Sequence, residues 1–253
     1  MRMYKEWAEF YDLLYGSQGQ NRDIPFLTGM VMKYGGPVLE CACGTGRVTI
    51  PIAKEGFEIY GIDTSEEMLA VLRKKLSGLP EGTRKRIDYA KRDMKDFDLG
   101  RKFRTCIIPF TSLYHLETDE EMRKFFRCVN KHLETNGTFI VDVFDFNPET
   151  PQGKFKLETE AKDPKGRVIK KYGKTVFGKK QTNDCWFKIV IENKGKKREI
   201  TRKFKLHYLL YDQMWKMLED SGFRVLEVYG NYDSEPYNTE KLNEKMIFVA
   251  EKI

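Results

Sequence analysis

Residues Val38 to Ala53, V-L-E-C-A-C-G-T-G-R-V-T-I-P-I-A, constrain this chain more than any other stretch. An apolar pair leads to an acidic residue, Glu40. Small residues follow at alternate positions: Ala42, Gly44 and Gly46. The chain then turns apolar at helical spacing through Val48, Ile50, Ile52 and Ala53. The pattern reads as a strand, a tight loop and a helix start. Such a loop brings backbone amides close to a ligand at a helix N-terminus. It calls for a nucleotide-like cofactor. The other reading is a glycine-rich βα loop that binds nothing.

The loop fits a dinucleotide poorly. A G-x-G-x-x-G turn wants a third glycine for helix–strand packing, and Thr49 follows here instead. Glu40 at the strand end repels a pyrophosphate and suits a cationic group such as an amino-acid ammonium. The pattern E-x-A-x-G-x-G resembles motif I of the class I S-adenosylmethionine (SAM) methyltransferases, commonly E-x-G-x-G-x-G. Ala42 departs from it. Alanine permits the tight turn unless the position needs a positive φ.

The 253 residues hold one large α/β domain with room for a small subdomain. No apolar run approaches the ~20 residues of a membrane span. The N-terminal M-R-M-Y-K-E-W-A-E-F-Y lacks a signal-peptide core. Five scattered cysteines point to reduced thiols and a cytoplasmic protein. Cys41 and Cys43 read as small residues flanking the loop. The net charge of +7 is spread along the chain with local clusters. It admits nucleic-acid binding. The spread favours a well-solvated Lys/Glu surface.

Residues 1–34 read as two helical pieces joined by G-S-Q-G-Q-N, with Trp7, Phe10, Tyr11, Leu14 and Tyr15 on one face. F-E-I-Y-G-I-D is a second strand ending at Asp63, and Thr64 or Ser65 caps the helix that follows. Ile87–Lys91 is a third strand, ending near Asp93. Arg104–Phe110 is a fourth. A helix spans Asp119–His132, and Gly137 turns the chain into a fifth strand, T-F-I-V-D-V-F. This alternation predicts a doubly wound, mostly parallel sheet. From about Lys154 to Tyr208 the periodicity changes to β-type runs separated by D-P-K-G, F-G-K-K and N-K-G-K. An antiparallel sheet, residues 151–208, is therefore expected inside a domain formed by 1–150 and 209–253. A helix, Tyr211–Ser221, and two strands close the chain.

Three acids end three successive strands: Glu40, Asp63 and Asp93. Ligands bind beyond the carboxyl ends of such sheets. Asp63 suits ribose hydroxyls. Asp93 and Met94 suit an adenine edge, as an acceptor for its amine and an apolar wall. After the fourth strand comes I-P-F-T-S-L-Y-H-L. It lacks the polar first residue and second proline of nucleobase-amine methyltransferases.

The whole chain resembles class I SAM-dependent methyltransferases. It is similar to small-molecule enzymes that include the sugar N,N-dimethyltransferases. Y-D-L-L-Y, A-C-G-T-G, Asp63 before S-E-E-M-L, R-D-M-K-D-F and F-T-S-L-Y-H-L carry the resemblance. It implies a seven-stranded sheet ending in a hairpin near Arg224–Tyr229 and Met246–Ala250, with 1–34 as a helical lid. It places Tyr11, Glu40, Ala42, Gly44, Gly46, Arg47, Asp63, Thr64, Met68, Asp93, Met94, Phe110 and Thr111 at the cofactor SAM. Tyr15 and His115 would face the acceptor. The bland readings are a core aromatic for Tyr15 and a packing histidine for His115.

Methyl transfer from a sulfonium needs alignment and desolvation more than strong acid–base chemistry. A hydroxyl acceptor needs a stronger base or a metal. No clustered Asp/His constellation is visible, and no metal is expected. This favours a small molecule with an amine, or with an activated carbon or oxygen, and an amine is the acceptor expected. An RNA-modifying methyltransferase and a nicotinamide oxidoreductase are the rivals. The inserted sheet is expected to cover the acceptor pocket, form a homodimer face, or both.

Overall fold

The computed structural model describes residues 7–16, 21–147 and 149–253. Two helices come first, α1 (Ala8–Gly16) and α2 (Asp23–Tyr34). Residues 17–20, within the expected G-S-Q-G-Q-N connection, lie outside the described residues. Then β1 (Val38–Cys41), α3 (Thr49–Lys54), β2 (Ile59–Asp63), α4 (Glu66–Leu76), the single turn α5 (Glu81–Arg84), β3 (Ile87–Lys91) and β4 (Phe103–Ile108) follow. A 3-10 turn, Ser112–His115, leads to α6 (Asp119–His132) and β5 (Leu133–Phe144). Four strands come next: β6 (Lys156–Lys162), β7 (Val168–Phe177), β8 (Thr182–Asn193) and β9 (Lys196–His207). The chain closes with α7 (Tyr211–Glu219), β10 (Phe223–Tyr229) and β11 (Lys245–Lys252).

The main sheet runs β10-β11-β5-β4-β1-β2-β3. β11 pairs antiparallel on both sides, while β5, β4, β1, β2 and β3 are parallel. β1 is central and wholly buried, so its sequence V-L-E-C is apolar apart from Glu40. The strand order reverses between β1 and β4. A crevice therefore opens there, beyond the carboxyl ends of the strands.

Local signals set the helix limits. The Ser65 hydroxyl accepts from the Met68 N–H at 3.3 Å, which settles the cap of α4. Glu66 and Glu67 start that helix and Arg73, Lys74 and Lys75 end it, with the helix dipole. The Thr118 hydroxyl accepts from the Glu121 N–H at 3.2 Å and starts α6. One face of α6 buries Met122, Phe125, Phe126 and Val129 against the sheet. The fifth strand starts earlier than its sequence suggests. Leu133 already pairs with Phe103, and the left-handed Asn136 (φ 58°) bends the strand ahead of Gly137. A Cβ at Gly137 would lie 2.9 Å from the Glu134 carbonyl oxygen, so that glycine permits a close backbone approach within the strand.

The four strands β6–β9 form a separate antiparallel meander in sequence order. The β8–β9 turn, N-K-G-K, has positive φ at Lys194 (46°) and Gly195 (77°), as a two-residue hairpin requires. This sheet and α1 bury a cluster of their own. Trp7, Phe10, Leu14 and Tyr15 pack on Ile169, Ile189, Ile191 and Ile200. The aromatic stripe of α1 thus docks on the inserted sheet. The rest of α1 is tied to the loop after β1: the Thr45 hydroxyl donates to Asp12 Oδ1 at 2.6 Å, and Lys75 Nζ of α4 donates to Asp12 Oδ2 at 2.8 Å.

Candidate active site

The loop after β1 is built from left-handed residues: Ala42 (φ 60°), Gly44 (55°) and Gly46 (74°). Ala42 therefore holds the conformation that its place in the motif reserves for glycine. Cys43 N donates to the Ile62 carbonyl at 3.0 Å, which ties the loop to β2. The Cys43 side chain fills the space over Gly61, where a Cβ would meet its Sγ at 2.7 Å. Cys43 is a packing residue, and so is Cys41, whose Sγ lies 3.9 Å from Cys106 Sγ in the core.

A cavity of about 270 Å³ opens over this loop. Glu40, Ala42 and Gly44 line it from β1 and the loop, and Asp63, Thr64 and Met68 from β2 and α4. Tyr11, Arg47, Met94 and Phe110 complete the wall. Glu40 is 1% exposed. Burial pushes its carboxyl up to about 8, although the Thr49 hydroxyl donates to Oε2 at 2.6 Å. Asp63 is also raised by burial. Its oxygens accept from Gly44 N at 2.9 Å and Ser65 N at 2.8 Å, and the Thr64 N–H also bonds the carboxylate.

Three residues expected at the cofactor from sequence are not in the wall of this cavity. Gly46 does not line the cavity. A Cβ there would strike Leu72 Cδ1 at 2.4 Å, so this glycine lets the loop close on α4. Asp93 is exposed and outside the cavity wall, because its carboxylate accepts from Lys95 N at 2.9 Å in its own turn. Thr111 lines a second cavity instead. Arg47 borders the loop cavity, but its guanidinium is spent on Asp23 of α2 (2.9 and 2.5 Å) and lies over the Phe110 ring at 4.8 Å. Both side chains are buried. Removing either leaves an unpaired buried charge, which costs about 3–5 kcal/mol.

The second cavity, about 480 Å³, lies between α1, the Phe110–His115 segment and one face of the inserted sheet. Tyr15, Phe110, Phe187 and Phe204 form aromatic walls. Tyr11, Phe110, Ser112, His115 and Phe204 line both cavities, so the two meet there. The Tyr15 ring packs edge-on against Phe110 at 5.1 Å. Burial, with Tyr11 beside Tyr15 and Glu158 beyond it, keeps both phenols protonated. Burial pushes His115 down to about 4, so its imidazole is neutral at physiological pH. Among the described residues, no group of three or more His, Cys, Asp or Glu side chains could hold a metal ion.

Residues 38–137 match the methyltransferase-domain family model. Residues 38–137 are thus a methyltransferase domain, and the strand order with the loop at the switch point is the fold of the class I SAM-dependent methyltransferases. The chain is 34% identical, over 58% of its length, to the dTDP-3-amino-3,4,6-trideoxy-alpha-D-glucopyranose N,N-dimethyltransferase of Streptomyces venezuelae, and the match spans 61% of that relative. It is 25% identical to a putative methyltransferase of a Geobacillus species, over 98% of this chain and 99% of that one. A SAM-dependent methyltransferase from Clostridium acetobutylicum shares the fold, with a TM-score of 0.81, 17% identity and 98% of each chain covered.

Several side chains of the larger cavity carry no signal in the sequence. Glu158 sits where β6 shifts register between Leu157 and Thr159, and the bulge carries its side chain over Gly173. A Cβ at Gly173 would lie 1.7 Å from Glu158 Oε1. The Glu158 carboxylate reaches Lys171 Nζ at 2.7 Å, and that ammonium lies 4.3 Å from the Tyr15 ring centre. Burial lowers Lys171, and Glu158 opposes the shift. Glu158, Lys171 and Tyr15 all line the larger cavity. Only strand alternation was readable here, and alternation does not say what faces the strand.

Proposed function

We propose that this chain transfers the methyl group of SAM to the amine of a small molecule held in the larger cavity. The observation that carries this reading is the shared wall: the loop cavity meets a larger, aromatic-lined cavity at Phe110 and His115. The loop cavity suits SAM by its donor set. Glu40 matches the ammonium, Asp63 the ribose hydroxyls, and Met68 and Met94 the flat faces of a base. Gly44 leaves space beside Met68 that a side chain would fill. When bound, SAM supplies an activated methyl on a sulfonium.

The chain's own residues then supply alignment and exclusion of water. Tyr15, neutral and packed on Phe110, stands on the larger cavity's side of the junction as a hydrogen-bond donor. His115, neutral in the same junction, accepts an N–H of the amine and holds its lone pair in place. So low a proton affinity makes it a weak base, so its part is mainly orientation. The amine reading draws on relatives whose names specify N-methylation of amino sugars. The size of the cavity fits a small molecule and not a nucleic-acid strand. No helix among the described residues is long and apolar enough to cross a membrane. The free, largely buried cysteines support a reducing cytoplasm as the location.

The test is incubation with methyl-tritiated SAM and fractionated extract of the source cell. Label on nitrogen in a small-molecule fraction is expected. Label confined to RNA or protein overturns the reading, as does none above a no-enzyme control.

A further inference from the structure

Lys171 lines the larger cavity from β7 and is 5% exposed. Lysines are almost never buried unless they are paired. Here the pairing is built into the sheet. β6 shifts register between Leu157 and Thr159, and Gly173 has no Cβ to displace the Glu158 carboxylate. Glu158 Oε2 lies 2.7 Å from Lys171 Nζ. The ammonium lies over two rings, 4.3 Å from the centre of Tyr15 and 4.2 Å from that of Phe187. A cation held over ring faces and away from water is attracted by both.

Stability alone does not call for a lysine at this position. Uncharged side chains of similar volume in place of a buried ion pair are often as stable or more so. The ring that the ammonium touches points to another reason. Tyr15 is the second-last residue of α1. Among the described residues its ring contacts are Tyr11 at 4.6 Å, Phe110 at 5.1 Å and the Lys171 ammonium. Tyr11 belongs to the same helix and moves with it. Phe110 borders both cavities, and Lys171 comes from the inserted sheet. These two contacts fix Tyr15 between the main sheet and the inserted one.

We infer that Lys171 is a positioning residue: its ammonium holds the Tyr15 ring on the larger cavity's side of the junction, and Glu158 supplies the counter-charge. Lys171 acts through Tyr15, and the inserted sheet thereby takes part in aligning the acceptor. The inference rests on the reading that Tyr15 faces the acceptor amine. Burial lowers the proton affinity of Lys171 and Glu158 restores part of it, so the hold on Tyr15 should be lost as pH rises through that lowered value. Glu158 from β6 and Tyr15 from α1 face the ammonium, and burial keeps the Tyr15 phenol protonated. β8 presents Phe187 and Cys185, whose thiol is raised by burial. β9 brings Arg202 opposite Phe187, and the charge of Arg47 reaches Tyr15. Both guanidiniums stay charged throughout.

Nuclear magnetic resonance of protein labelled with ring-13C tyrosine tests the contact directly, the Tyr15 signal being identified by its absence in Tyr15→Phe. In the wild type this signal should shift as pH rises through a value below the ordinary lysine value of 10.5. The shift should move to lower pH in Glu158→Gln and vanish in Lys171→Met. No shift in the wild type, or the same profile in Lys171→Met, overturns the proposal. Turnover is measured with methyl-tritiated SAM and the small-molecule fraction that the wild type labels. The double variant Lys171→Met, Glu158→Gln removes both charges and should melt within ~2 °C of the wild type. It should turn over about 10-fold more slowly at saturating SAM, with KM for SAM unchanged. Wild-type turnover, or a loss of turnover matched by a loss of melting temperature, overturns the proposal. If the wild type labels no small molecule, the reading of the cavity as an amine site falls, and the Tyr15 signal alone decides whether Lys171 holds that ring.

Discussion

The Asp142 carboxylate accepts a hydrogen bond from the backbone N–H of Phe110 at 2.8 Å, across β5 and the end of β4. Phe110 and Thr111 are both left-handed, with φ of 57° and 62°, a conformation that bulky and β-branched residues avoid. The Asp142 carbonyl accepts from Thr111 N at 2.9 Å, and the Tyr232 hydroxyl donates to the same carboxylate at 2.7 Å. Lys245 Nζ lies 3.2 Å from its other oxygen. One buried aspartate therefore holds the strained turn whose Phe110 ring borders both cavities.

Asp142→Asn should cost about 1.5–3 kcal/mol, the value of a hydrogen bond to a charged group. The turn would relax and shift Phe110, so kcat should fall further than stability alone explains. Thermal melting and turnover, measured on the folded fraction, check this. An unchanged kcat would detach Asp142 from the site.

Gly44 and Gly46 should separate binding from folding. Gly44→Val forces a branched side chain onto a left-handed residue, with its Cβ 3.1 Å from Met68 Cε, so it should lower the melting temperature somewhat and abolish SAM binding altogether in the folded fraction. Gly46→Ala strikes Leu72 at the back of the loop and should lower the melting temperature first. Titration calorimetry beside circular dichroism distinguishes the two effects.

Ala42→Gly should stabilise the protein. A left-handed alanine costs roughly 1–2 kcal/mol, and glycine gives back about 0.4–1 kcal/mol through the unfolded chain. The net gain is about 0.5–1 kcal/mol, with SAM affinity kept. A denaturant midpoint that does not rise would contradict this.

Glu40 makes cofactor binding depend on pH. Its carboxyl is raised from the ordinary value of 4.5 to about 8, so it is largely protonated at pH 7 in the free protein. The stability it contributes is full below pH 4.5 and is lost as pH rises through about 8. Pairing with an ammonium reverses this preference, so binding expels a proton. SAM affinity should therefore rise between about pH 6 and 8. Calorimetry in buffers of different ionisation enthalpy should show proton release, which Glu40→Gln abolishes. Binding with no proton release at pH 7 would remove Glu40 from the ammonium's contacts.

Tyr15→Phe and His115→Ala should leave SAM affinity nearly intact and lower kcat. General-base contributions run to ~10²–10⁴-fold. His115 titrates near 4 and orients more than it abstracts, so a loss of roughly 10- to 100-fold is expected. No limb from this imidazole should appear between pH 6 and 8. Wild-type turnover in both variants, with the natural acceptor, would make them packing residues.

The glycine-rich loop, Glu40, Asp63 and the Ser65 cap were legible in the primary chain because each answers a local demand. A left-handed turn, a strand end and an orphan helix N–H restrict the residues that can occupy them wherever the domain sits. The change from helical to two-residue periodicity near Lys154 announced the inserted sheet for the same reason. Local pattern did not show that Gly46 and Asp93 stand outside the wall of the loop cavity. One meets Leu72, 26 positions on (72 − 46), and the other turns back on Lys95. Still less could it bring Asp142 to Phe110, Asp23 to Arg47, or Lys171 to Tyr15. Those pairings join segments far apart in the chain, and only packing of the completed sheets and helices chooses which faces meet.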